Sequence, residues 1–316
     1  MKQIFVFFIL FQILNCEIQG SNCSPSIQEH AMDSPYSDVE KLLQKTLPDS
    51  VAAVILDIYT GEILAVHQSK TALHRSFPIG SLIKPLTACA GLIRGSLDPN
   101  DLIYCYRSGY SDFNRCWYLN GHGRVDLTDA IAYSCNSYFR HAAQKLRFSE
   151  FSRFMENLGY SMPRTFTPED EIDLMIGLNP SLKMTPLQIL TYLSLFYNDG
   201  VLFDWTCEGV PFKKISMPDK IRDLIRRGMA ASFRYGSGSG LQNATHQDSL
   251  FVKTGTAPYR LGGVEDHTKT HAWTVVFYPG DTPRIGIVIF VTQGVGSKQG
   301  IYWAGQTLRI LEGRIW

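Results

Sequence analysis

The chain has 316 residues, of which 45% are hydrophobic and 12% aromatic, a composition that excludes extensive disorder and suits one large domain or two small ones. Its 30 basic and 29 acidic residues give a formal net charge of +1, so there is no electrostatic reason to expect a nucleic-acid partner. Specificity is therefore expected to come from a local site.

The N-terminal residues have the composition of an export signal. An apolar run over residues 4–14 follows a single positive charge, and it is shorter than the roughly 20 apolar residues that a membrane-spanning helix needs. We therefore predict a signal peptide or lipoprotein-type leader over residues 1–20, with Cys16 in a segment that resembles a bacterial lipobox. Retention of the run as an uncleaved anchor is the alternative. Residues 21–37 are polar and predict a tether, which leaves 38–316 as the folded domain.

Export would place the cysteines in an oxidising compartment, where thiols can pair. Cys105 and Cys116 flank a polar, aromatic loop of residues 106–115, and a disulfide that closes this loop is the favoured interpretation, although connectivity cannot be deduced from sequence. A metal site made of Cys105, Cys116 and His122 is the weaker alternative, because these residues lack the paired C-x-x-C spacing of zinc sites. The prediction is therefore no metal.

Two pairs of β-branched runs predict a central sheet. Val51–Asp57 and residues 63–66 surround a short glycine-containing turn, which is typical of a hairpin. Apolar residues fill nearly every position of both runs, so both faces of the sheet are expected to be covered. Residues 272–278 and 284–291 surround a turn rich in proline and glycine and predict a second antiparallel hairpin.

Ser81 and Lys84 lie one helical turn apart. Gly80 leaves room for a sharp turn and Pro85 suits the first turn of a helix, so a helix is expected to begin near Gly80. Lys84 would then reach the Ser81 oxygen, and a partly desolvated lysine could take the serine's proton. A helix N-cap followed by a surface lysine has the same spacing, so this pair alone does not establish a nucleophile.

The helical pattern of residues 126–160 is interrupted by a polar segment that contains Ser134 and Asn136. Side chains two residues apart would lie together on a loop but would diverge on a regular helix. A cluster that merely interrupts the helix is the alternative. A further helix is expected after Thr185, which suits an N-cap before Pro186.

The C-terminal part begins with a helix predicted over residues 219–232 and a glycine-rich loop over residues 235–240. This loop lacks the lysine of a phosphate-binding loop and follows no strand, so it is interpreted as a flexible connection. The next segment, Lys253-Thr254-Gly255, is expected on a strand beside the second hairpin. An edge strand whose charge prevents aggregation is the alternative for that segment.

Three short motifs thus occur in order along the chain: Ser81-x-x-Lys84, Ser134-x-Asn136 and Lys253-Thr254-Gly255. Together they resemble the signature set of the penicillin-binding proteins and serine β-lactamases. Residues 121–127 and 184–188 further resemble the transpeptidase domain of monofunctional, class B penicillin-binding proteins, and the resemblance extends over residues 51–295. It implies an α/β fold with an antiparallel sheet flanked by helices, an all-helical lobe, and an active site in the cleft between them.

The resemblance assigns catalytic roles to five of these residues. Ser81 matches the nucleophile and Lys84 the base that deprotonates it. Ser134 would relay the proton to the leaving nitrogen. Asn136 would donate to the substrate's amide oxygen and hold Lys84, and Lys253 would supply positive charge near Ser134.

Further residues of the resemblance are expected to bind substrate. The hydroxyls of Thr254 and Thr256 suit a terminal carboxylate, and Gly255 would let the substrate backbone lie against the strand. The backbone amides of Ser81 and Thr256 would form an oxyanion hole. These groups suffice for acyl transfer, so neither a metal nor an organic cofactor is expected.

The function that the resemblance implies is a serine D,D-transpeptidase that cross-links peptidoglycan stem peptides through an acyl-enzyme on Ser81 and also binds β-lactam antibiotics. Its expected location is the bacterial cell envelope, periplasmic or otherwise extracytoplasmic, attached through the leader or a lipid anchor. A D,D-carboxypeptidase or β-lactamase of the same fold, or a penicillin sensor without turnover, are the alternatives. Monofunctional relatives usually carry a long N-terminal pedestal, whereas only a leader and a short tether are expected before the motifs here, so roles in division or elongation complexes are not expected. Acidic residues 169–171 do not match the water-positioning pattern of one lactamase class, so fast deacylation is not indicated.

Overall fold

A five-stranded antiparallel sheet lies at the centre of the computed structural model, which describes residues 36–107, 116–165, 167–204, 210–261 and 264–315. The strands of the described residues are β1 (Val51–Asp57), β2 (Ile63–His67), β3 (Phe77–Pro78), β4 (Ile103–Cys105), β5 (Gly123–Val125), β6 (Lys183–Met184), β7 (Val201–Asp204), β8 (Val210–Lys214), β9 (Phe251–Leu261), β10 (Val264–Tyr278) and β11 (Ile285–Val291). The strands of the central sheet run in the order β2-β1-β11-β10-β9, and three two-stranded ribbons, β3 with β6, β4 with β5 and β7 with β8, lie outside it.

Helices cover both faces of this sheet. Those of the described residues are α1 (Ser37–Thr46), α2 (Ser69–His74), α3 (Lys84–Arg94), α4 (Leu127–Tyr133), α5 (Asn136–Lys145), α6 (Phe148–Asn157), α7 (Pro168–Ile176), α8 (Pro186–Ser194), α9 (Asp219–Arg234) and α10 (Ile301–Ile315). Short 3₁₀ helices occupy Gly80–Ile83 and Ser239–Asn243, and a π-helical turn occupies Gly296–Gly300. Helices α3 to α7 pack on one another and form a helical lobe beside the sheet. The predicted antiparallel sheet with flanking helices and a helical lobe is therefore confirmed.

Both predicted hairpins form, and β1 is buried at every position, as its apolar sequence predicts. Ala52, Val54 and Leu56 belong to the core that continues into the helical lobe. The alternate residues of the strand belong to a second core, on the opposite face, together with α1 and α10. Successive side chains of a strand point to opposite faces, so an unbroken apolar run is what a doubly covered strand requires.

One strand is longer than predicted, and one helix was not predicted. Strand β10 begins at Val264 rather than at residue 272, because the mostly polar residues 264–271 also pair with β9, with a register shift between Asp266 and Thr270. Helix α10 lies past the end of the resemblance, and its residues Ala304, Leu308 and Leu311, at helical spacing, fill the second core.

The predicted leader, most of the tether and most of the loop between Cys105 and Cys116 lie outside the described residues. Within the described residues, no helix combines the length and the apolar character needed to cross a membrane.

Candidate active site

Ser81 and Lys84 lie on adjoining helical turns at the start of α3. The chain enters a 3₁₀ helix at Gly80–Ile83, and α3 begins at Lys84 with Pro85 in its first turn, which confirms the predicted helix start. In a 3₁₀ turn the side chains at positions i and i+3 eclipse each other, so Ser81 and Lys84 lie in line. Ser81 is half-buried, whereas Lys84 is fully buried. The serine thus remains accessible from solvent while the lysine behind it does not.

The Lys84 amine makes two hydrogen bonds to the second motif. Its Nζ donates to the backbone oxygen of Ser134 at 2.9 Å and to Oδ1 of Asn136 at 2.5 Å. Burial lowers the pKa of Lys84 to about 8. A neutral amine has two N–H bonds and one lone pair, and the two acceptors match the two N–H bonds. The arrangement leaves the lone pair as the group that can accept a proton from Ser81.

The break between α4 and α5 positions the second motif. Ser134 ends α4 in the left-handed conformation, with φ of 56°, and Asn136 is the first residue of α5. This reversal brings the Ser134 carbonyl and the Asn136 side chain to the same lysine, as the prediction of a non-helical segment requires. Because Asn136 accepts from Lys84 through Oδ1, its amide nitrogen is the atom with which it donates.

The third motif joins the second through Lys253. This fully buried lysine donates from Nζ to Ser134 Oγ at 2.9 Å and to the Thr254 oxygen at 2.8 Å. Burial and the nearby Lys84 charge hold the pKa of Lys253 well below its usual range. Since Ser134 Oγ accepts from Lys253, its own hydroxyl proton is available for another acceptor. Three motifs that lie far apart in the sequence therefore share one hydrogen-bonded site.

Strand β9 carries Lys253-Thr254-Gly255 and lies at the edge of the sheet beside β10, which confirms the prediction of a strand next to the second hairpin. It also lies against the turn that contains Ser81. Gly80 has φ of +57°, and a Cβ there would lie 2.5 Å from the Thr256 oxygen, so only glycine permits this approach. A Cβ on Gly255 would lie 3.0 Å from the Ile79 oxygen and 3.1 Å from Leu82, so this glycine makes room for the helix of the serine. Its role toward a substrate backbone stays a prediction.

The hydroxyls of Thr254 and Thr256 have different partners. Thr254 Oγ1 donates to Ser237 Oγ at 2.6 Å, whereas Thr256 Oγ1 accepts from the Gly296 amide at 3.1 Å. The glycine-rich loop that contains Ser237 is therefore part of the site, and its interpretation as a flexible connection is wrong. Sequence reasoning missed both Ser237 and Gly296; the alternation of glycine and serine over residues 236–240 was the available signal for the first.

A second cluster lies directly beside the Ser134 turn. The thiols of Cys105, Cys116 and Cys135 and the imidazole of His122 place their ligand atoms within 4.8 Å of one another. Hydrogen bonding to Cys135 lowers the pKa of Cys105 and that of Cys116, whereas the same contacts raise the pKa of Cys135, so the shifts favour the metal-ligating thiolate form at two of the three cysteines. Three cysteines and one histidine are a common donor set of structural Zn²⁺ sites, in which the ion is four-coordinate. These residues are suited to hold such an ion, and its role there would be structural.

The predicted disulfide is absent from the structure, in which Cys105 and Cys116 are free thiols. The Sγ atoms of both lie 3.5 Å from Nδ1 of His122. The argument from spacing against a metal site did not consider Cys135, which the fold brings to the other three donors as a fourth, so the absence of a metal stays a prediction that the cluster makes worth testing.

The acidic residues 169–171 have structural partners. Glu169 and Asp173 pair with the buried Arg140 at 2.6 and 2.8 Å, which joins α7 to α5. Asp170 belongs to the capping box at the start of α7, and Glu171 accepts a hydrogen bond from Thr165. None of these observations places a carboxylate of this segment beside Ser81.

Residues 51–310 match the family model described as "Penicillin binding protein transpeptidase domain". The peptidoglycan D,D-transpeptidase MrdA of Acinetobacter baumannii is 26% identical over 71% of this chain and 40% of its own length. The peptidoglycan D,D-transpeptidase FtsI of Escherichia coli K12 is 22% identical over 90% of this chain and 53% of its own length. The chain thus spans about half the length of the curated relatives it matches.

Solved structures of similar fold include PBP2 of Pseudomonas aeruginosa, with a TM-score of 0.72 and 21% identity, covering 88% of this chain and 74% of that one. The transpeptidase domain of penicillin-binding protein 3 from Burkholderia pseudomallei gives a TM-score of 0.69 at 18% identity and covers 89% of this chain and 92% of that one. These likenesses establish the fold.

Proposed function

Because the chain belongs to the penicillin-binding protein transpeptidase family, we propose that it is a serine D,D-transpeptidase that forms an acyl-enzyme on Ser81. Its substrate class would be peptidoglycan stem peptides that end in D-Ala-D-Ala, and β-lactams would acylate the same serine. The relatives named peptidoglycan D,D-transpeptidase support this substrate class and, with it, a location in the bacterial cell envelope.

One observation supports the proposal above all others. Lys84 donates to Ser134 and Asn136 of the second motif, while Lys253 of the third motif donates to Ser134 Oγ. These contacts would supply a base, a proton relay and a positive charge to one accessible serine. Nucleophilic catalysis needs this arrangement, because a serine hydroxyl is a weak nucleophile until a base removes its proton.

Acylation would use these groups in sequence. Ser81 Oγ attacks the carbonyl carbon of the penultimate D-Ala, and its proton passes to the Lys84 amine. The amides of Ser81 and Thr256 would bind the oxyanion, a contribution of about 3–4 kcal/mol for each donor in sites of this kind. Ser134 then gives its hydroxyl proton to the leaving nitrogen and takes up the proton held by Lys84, so the C–N bond breaks and the Lys84 amine is neutral again. The acyl-enzyme is resolved when an acceptor amine or a water attacks the ester.

The pKa of Lys253 would rise when the substrate carboxylate binds. A negative charge near this buried amine raises its pKa, because the ion pair favours the protonated form. The two lysines are close enough to affect each other, so a proton held on Lys253 favours a neutral Lys84. Binding of an anionic substrate would in this way prepare the base for its role.

The partners of residues 169–171 favour transfer to an amine over rapid hydrolysis. A fast β-lactamase needs a base that activates water against the acyl-enzyme. In this chain Glu169 pairs with Arg140 and Asp170 caps α7, so neither is available as that base.

The test is an exchange reaction on a synthetic stem peptide that ends in D-Ala-D-Ala, with a D-amino acid as acceptor. We expect the purified chain to release D-Ala and to incorporate the acceptor, with exchange exceeding hydrolysis at millimolar acceptor. Ser81→Ala should abolish both reactions, whereas Ser149→Ala, the same change at an exposed serine of α6, should leave them within twofold of wild type.

Each other outcome contradicts the proposal in a different way. Release of D-Ala without incorporation would identify a carboxypeptidase. A lasting penicillin adduct with no turnover of peptide would identify a sensor. Turnover that survives Ser81→Ala would place the chemistry elsewhere.

A further inference from the structure

The loop of residues 235–240 is fixed between α4, α9 and β9 rather than free in solvent. The Ser237 amide donates to the Ala132 oxygen at 2.9 Å, and the Gly238 amide donates to the Ser232 oxygen at 3.1 Å. Ala132 lies on α4, two residues before Ser134. The loop is therefore tied by its backbone to the helix that presents the second motif.

Glycines on both sides of Ser237 make this close approach possible. A Cβ on Gly236 would lie 2.3 Å from the Ala132 oxygen, and a Cβ on Gly238 would lie 2.6 Å from Cγ1 of Val252. Both distances are shorter than any contact that a side chain tolerates. Gly-Ser-Gly is thus the sequence that brings one serine hydroxyl into the narrow space between α4 and β9.

The hydroxyl of Ser237 ends a directed chain of hydrogen bonds. Thr254 Oγ1 donates its proton to Ser237 Oγ at 2.6 Å, so Thr254 presents only lone pairs to anything else. Ser237 Oγ keeps its own proton, and among the described residues its other hydroxyl contact besides Thr254 is with the buried Ser232 at 3.5 Å, at the outer limit of a hydrogen bond. A carboxylate is a much better acceptor than that hydroxyl.

Thr256 is the second donor of this region. Its Oγ1 accepts from the Gly296 amide, which leaves its proton available. Lys253, fully buried on the same strand, would supply positive charge once a bound anion raises its pKa. Ser237 and Thr256, rather than Thr254, are therefore the two hydroxyls with protons to donate.

We propose that Ser237 is a substrate-binding residue that donates to the terminal carboxylate of the acyl donor and so selects anionic over neutral donors. The inference rests on the proposed function, since it concerns the substrate of the same site. Thr254 is then a positioning residue, because it acts through Ser237. The proposal reverses the expectation from sequence that Thr254 itself contacts the carboxylate.

The test compares benzylpenicillin with its methyl ester, which differ in the carboxylate alone. The second-order rate constant for acylation of Ser81 is measured for both with wild type and Ser237→Ala. We expect the variant to lose about 10- to 100-fold with the acid, the range for one hydrogen bond to a charged group, and to change by less than twofold with the ester. Ser237→Thr keeps the hydroxyl and should restore most of the preference for the acid.

Ser239→Ala is the matched control, because Ser239 lies in the same glycine-rich loop and is half-buried like Ser237. It should leave both rate constants within twofold of wild type. If Ser237→Ala lowers the acylation rate constant equally for acid and ester, the residue has only a structural role. If the variant reacts with both compounds at the wild-type rates, Ser237 does not bind the carboxylate. Either result would overturn the proposal. Failure of wild type to react with either compound would instead contradict the proposed function itself, and the Ser237 assignment with it.

Discussion

Replacement of Lys84 by methionine is expected to lower the rate constant for acylation of Ser81 by benzylpenicillin by about 100- to 10,000-fold, the usual contribution of a positioned general base. Methionine keeps the length and apolar stem of lysine, so the buried space stays filled while the amine is lost. The hydrogen bonds to Ser134 and Asn136 are lost with it. The measurement is the time course of the Ser81 adduct by intact mass at several penicillin concentrations.

Lys145→Met serves as the control, since this lysine is largely exposed and pairs with Asp101 at the surface. It should acylate at the wild-type rate, because surface ion pairs contribute little. A Lys84→Met variant that is folded and reacts as fast as Lys145→Met would remove Lys84 from the role of base.

The pH dependence of the acylation rate constant is a further test of Lys84 as the base. The pKa of Lys84 is lowered to about 8, mainly by burial; Cys116 and Cys135 oppose this shift and Arg140 adds to it. The base must be neutral, so the wild-type rate constant should rise through this pH and level off above it. Lys84→Met should lose that rise, and a wild-type profile that is flat from pH 6 to 9 would contradict the assignment.

The second large effect concerns the cluster of Cys105, Cys116, His122 and Cys135. We expect the purified chain to contain about one Zn²⁺, and a strong chelator to lower its melting temperature by on the order of 10 °C, since a ligand at about 1,000 times its Kd stabilises a protein by about 4 kcal/mol. Loss of the ion should also slow acylation. Cys135 lies between Ser134 and Asn136, and the Trp117 indole donates to the Tyr133 oxygen at 3.1 Å, so the cluster supports the turn that holds Lys84.

Cys116→Ala and Cys89→Ala make a matched pair, because each removes one buried thiol and only the first belongs to the cluster. Cys116→Ala should lose the zinc and the response to chelator, and Cys89→Ala should keep both. Equal zinc content in the two variants would contradict the metal site. A wild-type protein with no zinc and two fewer reactive thiols than expected would instead favour the Cys105–Cys116 disulfide.

The sequence alone predicted the features that local patterns determine. The unbroken apolar run of β1 specifies a strand covered on both faces, and Thr185 before Pro186 specifies the start of α8. Ser81 and Lys84 were recognisable because three-residue spacing survives in the 3₁₀ turn that begins at Gly80. The Ser134 break was expected as well, since a polar segment interrupts an otherwise helical pattern.

Features that depend on distant contacts could not be predicted. Cys135 becomes a possible ligand only because the fold brings it to the ribbon of β4 and β5. These cysteines have no C-x-x-C spacing that would indicate a metal site from the sequence. Ser237 enters the site because the loop after α9 packs against both α4 and β9, two elements remote from it in sequence. The contact of Gly255 with Ile79 and Leu82 could not be predicted either, because tertiary structure brings that turn against the strand.

The most direct test of the site as a whole is to locate the penicillin adduct. The full chain is mixed with benzylpenicillin, quenched in acid within seconds so that even a short-lived ester is trapped, digested, and mapped by mass spectrometry. We predict one stoichiometric adduct, on the peptide that contains Ser81, and none in Ser81→Ala. An adduct on another residue, or none at any time in wild type, would contradict the assembly of the three motifs into a working site.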